Sequence, residues 1–175
     1  LGFAPMAVCA NGAVIYDPPE QDRIISARTL SVDVLTELAD IATPGDPGCR
    51  AGVERVGRSA HDSATPPQFV SSPGYEHAWL NPDNTEVAIE DLLSAPAVKL
   101  LIRKAGARSS QMAAELAKHL GSQGGDITYS TNNGLIEINP TGTSKATGVE
   151  HLARPLGDRR RGRHRVRRHA QRRAD

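Results

Sequence analysis

Ten arginines fall between Arg154 and Asp175, opposed only by Asp158 and Asp175. No packed interior can take such a segment, because an arginine is buried only when its charge finds a partner. The fold must therefore be built by residues 1–153. The segment carries a formal charge of +8. The 175-residue chain totals 21 basic and 20 acidic residues, which leaves the body at −7. An acidic body that ends in a basic tail is a composition break of the kind nucleic-acid-binding tails produce. Aromatic residues make up only 3% of the chain, so a base-stacking surface is not expected.

The longest apolar runs, such as VKLLI, fall far short of the roughly 20 residues a membrane helix needs, and no membrane partner is expected. Cys9 and Cys49 are the only cysteines. With no CxxC pair they exclude a disulfide scaffold and a thiolate zinc site, and they fit a reducing, cytoplasmic compartment. The chain opens on Leu1 without a secretory leader, so a fragment is expected.

Along the body, Met6–Asp17 is β-prone and broken by Asn11-Gly12, and Arg23–Leu30 reads as the returning strand after a Pro18-Pro19 turn. Ser31 caps a helix with Val32, Leu35, Leu38 and Ile41 on one face, stopped by Pro44-Gly45. A short strand over Cys49–Val56 precedes a loop at 57–74 rich in Gly, Ser, Thr and Pro. A polar turn at Asn81–Asn84 leads into a helix over Thr85–Leu93. Val98–Arg103 is a strand, and Ser109–Leu120 is a helix ended by Gly121. Asp126–Thr131 and Leu135–Asn139 flank Asn132-Asn133-Gly134 as a hairpin. Ser144 caps a last helix to about Ala153. Strands mixed with helices in this way make an α/β or α+β protein.

Chemistry-bearing motifs are sparse. HExxH, GxGxxG and GxxxxGK[ST] are absent. His61, His77, His119 and His151 are scattered, and Glu54, Glu76, Glu86, Glu90 and Asp91 read as a solvated acidic face. Taken alone, Lys145 is a helix-start lysine, and Asn11-Gly12 is an ordinary turn.

In combination these residues say more. CANGAVIYD (Cys9–Asp17) resembles the NGA-plus-hairpin segment of Cof-type phosphatases in the haloacid dehalogenase superfamily. STNNGLIEINPTGTSKATGVEHLA (Ser130–Ala153) resembles their returning strand, the I-x-P-x-G-x-S-K turn and the helix after it. Residues 18–129 between them are the right number for the large α/β cap this group inserts into its core. The resemblance implies an α/β fold in which Rossmann-like core fragments flank that cap. It places a core segment with the hairpin at 1–30, the cap at 31–131 and the return to the core, with the lysine motif, at 132–157. It implies a Mg²⁺-dependent phosphatase acting on small phosphorylated metabolites through an aspartyl-phosphate. Lys145 matches the lysine that clamps phosphoryl oxygens, and Asn11 and Gly12 are the expected substrate-binding residues. The family's DxDGT nucleophile motif, its Thr/Ser motif and its GDxxND metal motif are all missing from the chain. No metal ligand is therefore assigned, and the chain as given is expected neither to bind Mg²⁺ nor to be active.

The metal motif is expected about a dozen residues past Gly157, where the Arg-rich segment 158–175 stands. One reading makes that segment a basic arm on a non-catalytic binding module, each arginine neutralising a nucleic-acid phosphate. The other makes it a disordered tail translated out of frame from GC-rich DNA, with only incidental affinity for nucleic acid. Synonymous codons exist for Gly157–Asp175 whose +1 frame reads ATAAEVVIAFGDMPNDVP. That string is a buried strand running into GDMPND. The frameshift reading is preferred, and the nucleotide sequence across codons 150–175 decides it.

Overall fold

The computed structural model describes residues 6–17, 23–42, 48–57, 68–77, 84–120 and 124–160, with side chains as far as Ala153. Alternation builds the larger of two sheets. In β4 (Cys49–Glu54), β7 (Lys99–Lys104) and β9 (Leu135–Asn139), successive side chains point to opposite faces. Ala51, Val53, Leu100, Ile102, Ile136 and Ile138 line one face, while Leu101 and Leu135 meet Phe69 and Tyr75 on the other. Three shorter strands, β5 (Phe69–Ser71), β6 (Asn84–Glu86) and β8 (Asp126–Thr128), complete the order β6-β5-β4-β7-β9-β8. Only the β5–β6 pair is parallel.

Helices α1 (Val32–Ala42), α2 (Ile89–Leu92) and α3 (Ser109–Ala117) cover the first face, inserting Leu35, Leu38, Leu92 and Leu116 into its cluster. The Ser31 hydroxyl receives the Val34 N–H at 3.4 Å and starts α1. Arg55, nine-tenths buried, closes α2 by donating to the Asp91 and Leu92 carbonyls at 2.9 and 3.0 Å. A cation there satisfies acceptors that a helix end leaves open. Leu100 sits at the centre, 0% exposed. Leu100→Ala should lower the unfolding free energy by about 2–5 kcal/mol, read as a shift of the urea midpoint.

The smaller sheet is an antiparallel meander of β1 (Ala7–Cys9), β2 (Val14–Asp17) and β3 (Arg23–Ala27), with an irregular register at Ile15/Tyr16. A 3₁₀ turn at Ala10–Gly12 joins β1 to β2. Helix α4 (Lys145–Arg160) lies against that turn and β1. The two sheets meet where Ala13 and Val14 pack on Val98 and where Leu30 exchanges backbone hydrogen bonds with Ala97.

Several expectations need correction. The segment 57–74 is not all loop, since Phe69–Ser71 forms β5 with all three residues buried. Its polar, Pro-rich surroundings hide a strand too short to show alternation. Thr85–Leu93 is a helix only over Ile89–Leu92. Asn84–Glu86 instead pairs with β5, where the Ser71 hydroxyl donates to Asn84 Oδ1 at 2.8 Å, and tertiary pairing overrides local propensity. Beyond the 131/132 division, β9 pairs with β7 and β8 in the larger sheet and buries Ile136 and Ile138 there. The last helix runs past Ala153 to Arg160. Residues 161–175, and with them most of the Arg-rich tail, lie outside the described residues, as do Pro18-Pro19, Pro44-Gly45, His61, residues 81–83 and Gly121.

Candidate active site

The hairpin turn takes an unusual path. Ala10, Asn11 and Gly12 all have positive φ, at 47°, 55° and 101°. Asparagine tolerates this region, whereas alanine is held there at a cost of roughly 1–2 kcal/mol. Such strain persists only where the surroundings impose it. Here the surroundings are the first turn of α4. A Cβ on Gly12 would stand 2.0 Å from the Ser144 carbonyl oxygen and 3.2 Å from the Lys145 nitrogen. Gly148, one turn on, faces back with its Cβ position 2.9 Å from Gly12 Cα. Two glycines thus let the hairpin and the helix touch backbone to backbone.

The loop into α4 is held from three sides. Gly142 donates its N–H to Asp126 Oδ2 at 2.7 Å, and its carbonyl accepts from Arg28 and from the Thr147 hydroxyl, each at 3.1 Å. Ser144 and Thr147 then cap the helix reciprocally. The Thr147 N–H donates to Ser144 Oγ at 3.1 Å and the Ser144 N–H to Thr147 Oγ1 at 2.9 Å, a capping box with threonine in the acidic position. Lys145 is the first helical residue and its side chain is exposed. Among the described residues no carboxylate forms an ion pair with it.

The larger sheet supplies a polar cluster beside this junction. Asn11 Nδ2 donates to Glu137 Oε2 at 2.7 Å and to Asn139 Oδ1 at 3.3 Å. The same Glu137 oxygen is 3.3 Å from Lys99 Nζ, which lies 3.4 Å from Glu54 Oε2. Asn139, 0% exposed, donates onward to Thr128 Oγ1 at 3.0 Å. Lys99→Met should cost about 3 kcal/mol, because two poorly solvated carboxylates would lose their shared cation. Chemical unfolding at neutral pH measures it.

The structure thus brings Asn11, Gly12 and Lys145 together from opposite ends of the chain. Among the described residues it does not gather His77, His119 and His151. His77 stacks edge-on to Tyr75, with ring centres 4.9 Å apart, and His119 lies 3.8 Å from Glu115. His151 is exposed. Burial pushes the Tyr75 phenol pKa up, so it stays a neutral group. Among the described residues no three carboxylate, imidazole or thiolate side chains converge as metal ligands. The sequence reading missed Lys99, Glu137, Asn139 and Gly148. The available signal was charge inside apolar strands, KLLIRK and LIEIN.

The chain belongs to the haloacid dehalogenase-like hydrolase family, which residues 1–160 match. No curated protein matches it. Among solved structures, a Thermotoga maritima protein has a TM-score of 0.62 at 17% identity, over 84% of this chain and 52% of its own. A protein from Bacteroides thetaiotaomicron, placed among phosphatases of the haloalkanoate superfamily, gives 0.61 at 15% over 87% and 52%. A subclass IIB sugar phosphatase gives 0.61 at 13% over 87% and 53%. Identities this low speak for the fold, α/β with the family's Rossmann-like architecture. The chain spans about half the length of these structures.

Proposed function

We propose that this chain carries the cap and two flanking core segments of a Cof-type phosphatase that hydrolyses a small phosphorylated metabolite in the cytoplasm. The observation that supports it most is the contact of Gly12 with Ser144 and Lys145. It joins the two stretches that resemble the family, although they stand at opposite ends of the chain. On this reading the six-stranded sheet and helices α1–α3 are the cap, and the small sheet with α4 is the edge of the core. Lys145 clamps the phosphoryl group. Its charge offsets the negative charge that builds on the equatorial oxygens during transfer. Its flexible stem suits a point charge aimed from a fixed helix start, and the Asn11-Gly12 turn borders the substrate.

The family implies Mg²⁺. The described residues do not fit it, because no set of oxygen ligands converges near Lys145, and no step of this chain passes through the metal. The family's DxDGT nucleophile motif is likewise absent from the 175 residues. The test compares two proteins on p-nitrophenyl phosphate with Mg²⁺. One is the 175-residue chain. The other is extended upstream with a family nucleophile segment and read in the shifted frame beyond codon 157. The first should be silent and the second active, with activity lost on chelation. Turnover by the short chain, or none by the long one, rejects the reading.

A further inference from the structure

Asn11 does two separable things: it adopts a left-handed turn, and it spends its amide on the opposite sheet. Glycine would satisfy the turn better, so the side chain needs its own explanation. Its Nδ2 reaches Glu137 Oε2 at 2.7 Å, from the hairpin of the small sheet to a strand of the large one. Glu137 is not free to swing. Lys99, 9% exposed, holds it at 3.3 Å and is held in turn by Glu54 at 3.4 Å. A sheet built for stability alone gains nothing from this arrangement, because burying such charges costs about as much as their attraction returns. What the arrangement fixes is position. Asn11 is bonded to Gly12, and Gly12 lies against the Ser144 carbonyl with no room for a methyl group. Any shift of Asn11 therefore moves the start of α4, where Lys145 stands.

We propose that Asn11 is a positioning residue: the line Glu54–Lys99–Glu137–Asn11 locks the hairpin turn to the six-stranded sheet and, through Gly12 and Ser144, sets where Lys145 is presented. The lock itself is independent of the phosphatase reading, whereas its bearing on a phosphoryl group rests on that reading.

The 175-residue chain is compared as wild type, Asn11→Gly, Glu137→Gln, Glu137→Leu and the Asn11→Gly/Glu137→Leu double variant. Amide exchange and the response of Lys145 resonances to inorganic phosphate are followed by NMR. Asn11→Gly keeps the left-handed turn and deletes the amide. It should speed exchange at Gly12, Ala13 and Gly148 by at least fivefold while Val53 and Leu100 keep their protection. Glu137→Leu should do the same, and the double variant should add nothing, as expected for partners in one contact. Glu137→Gln keeps an acceptor oxygen for Asn11 and should stay within about twofold of wild type. The phosphate affinity read at Lys145 should fall at least fivefold in Asn11→Gly and hold in Glu137→Gln. Wild-type exchange in Asn11→Gly overturns the lock, because the residue would then serve the turn alone. Equal acceleration in both sheets also overturns it, as ordinary destabilisation. If wild-type Lys145 ignores phosphate while the local exchange effects hold, the lock stands and the phosphoryl-clamp role of Lys145 fails.

Discussion

Gly12→Ala should destabilise this chain by about 3 kcal/mol or more. Two independent penalties add. An L-residue at φ 101° pays roughly 1–2 kcal/mol for its backbone conformation alone. The new Cβ would also stand 2.0 Å from the Ser144 oxygen, a main-chain atom that cannot rotate away. Ser144 is anchored by its cap with Thr147, and Gly12 sits between two paired strands. Relief requires α4 to lift off the hairpin, which breaks the Gly148 contact as well. Gly106→Ala isolates the first penalty, since Gly106 has φ 74° and nothing within 4 Å of its Cβ position. It should cost about 1 kcal/mol. Gly148→Ala tests the second from the other side. A helix gains about 1 kcal/mol from alanine over glycine, yet this Cβ meets Gly12 Cα at 2.9 Å and Val8 Cγ1 at 2.5 Å, so the net effect should be destabilising. Urea unfolding of the three variants should rank them Gly12, then Gly148 or Gly106, with Gly12→Ala well separated. A Gly12→Ala protein as stable as Gly106→Ala would mean the hairpin and α4 do not touch as described.

What the sequence shows well is periodic and local. Leu135–Asn139 is a strand in both readings because its alternation is strong. Val32–Ala42 is a helix because a serine cap precedes apolar residues at helical spacing. What it hides depends on distant partners. Phe69–Ser71 and Asn84–Glu86 are three residues each and become strands only by lying beside β4 and each other. The sheet that owns β9 is decided by pairing with β7, some thirty residues back, and no local signal carries that. The site follows the same division. Asn11, Gly12 and Lys145 stand in short motifs and can be singled out in one dimension. Glu137 and Lys99 look like ordinary surface charges in apolar strands until the register sets them on one face with Glu54. Gly148 is an unremarked helix glycine until Gly12 is seen beneath it.

Lys145→Ala in the extended protein read in the shifted frame should lower kcat/KM for a phosphate monoester by about 10²–10³, the usual loss when one stabilising group is removed from a charge-developing site. The loss should appear mainly in kcat if the ammonium acts where charge accumulates, and mainly in KM if it only attracts the dianion. Lys145→Arg discriminates further. The planar guanidinium keeps the charge but not the compact geometry, so partial recovery indicates a charge clamp and no recovery indicates a need for the short ammonium. Stability should hardly change, because the Lys145 side chain is exposed and the Ser144–Thr147 cap is untouched. Lys145→Ala thereby separates chemistry from folding, which Gly12→Ala cannot do. An extended enzyme that hydrolyses phosphate esters with undiminished kcat/KM after Lys145→Ala would place the phosphoryl group elsewhere and leave Lys145 as no more than the first residue of α4.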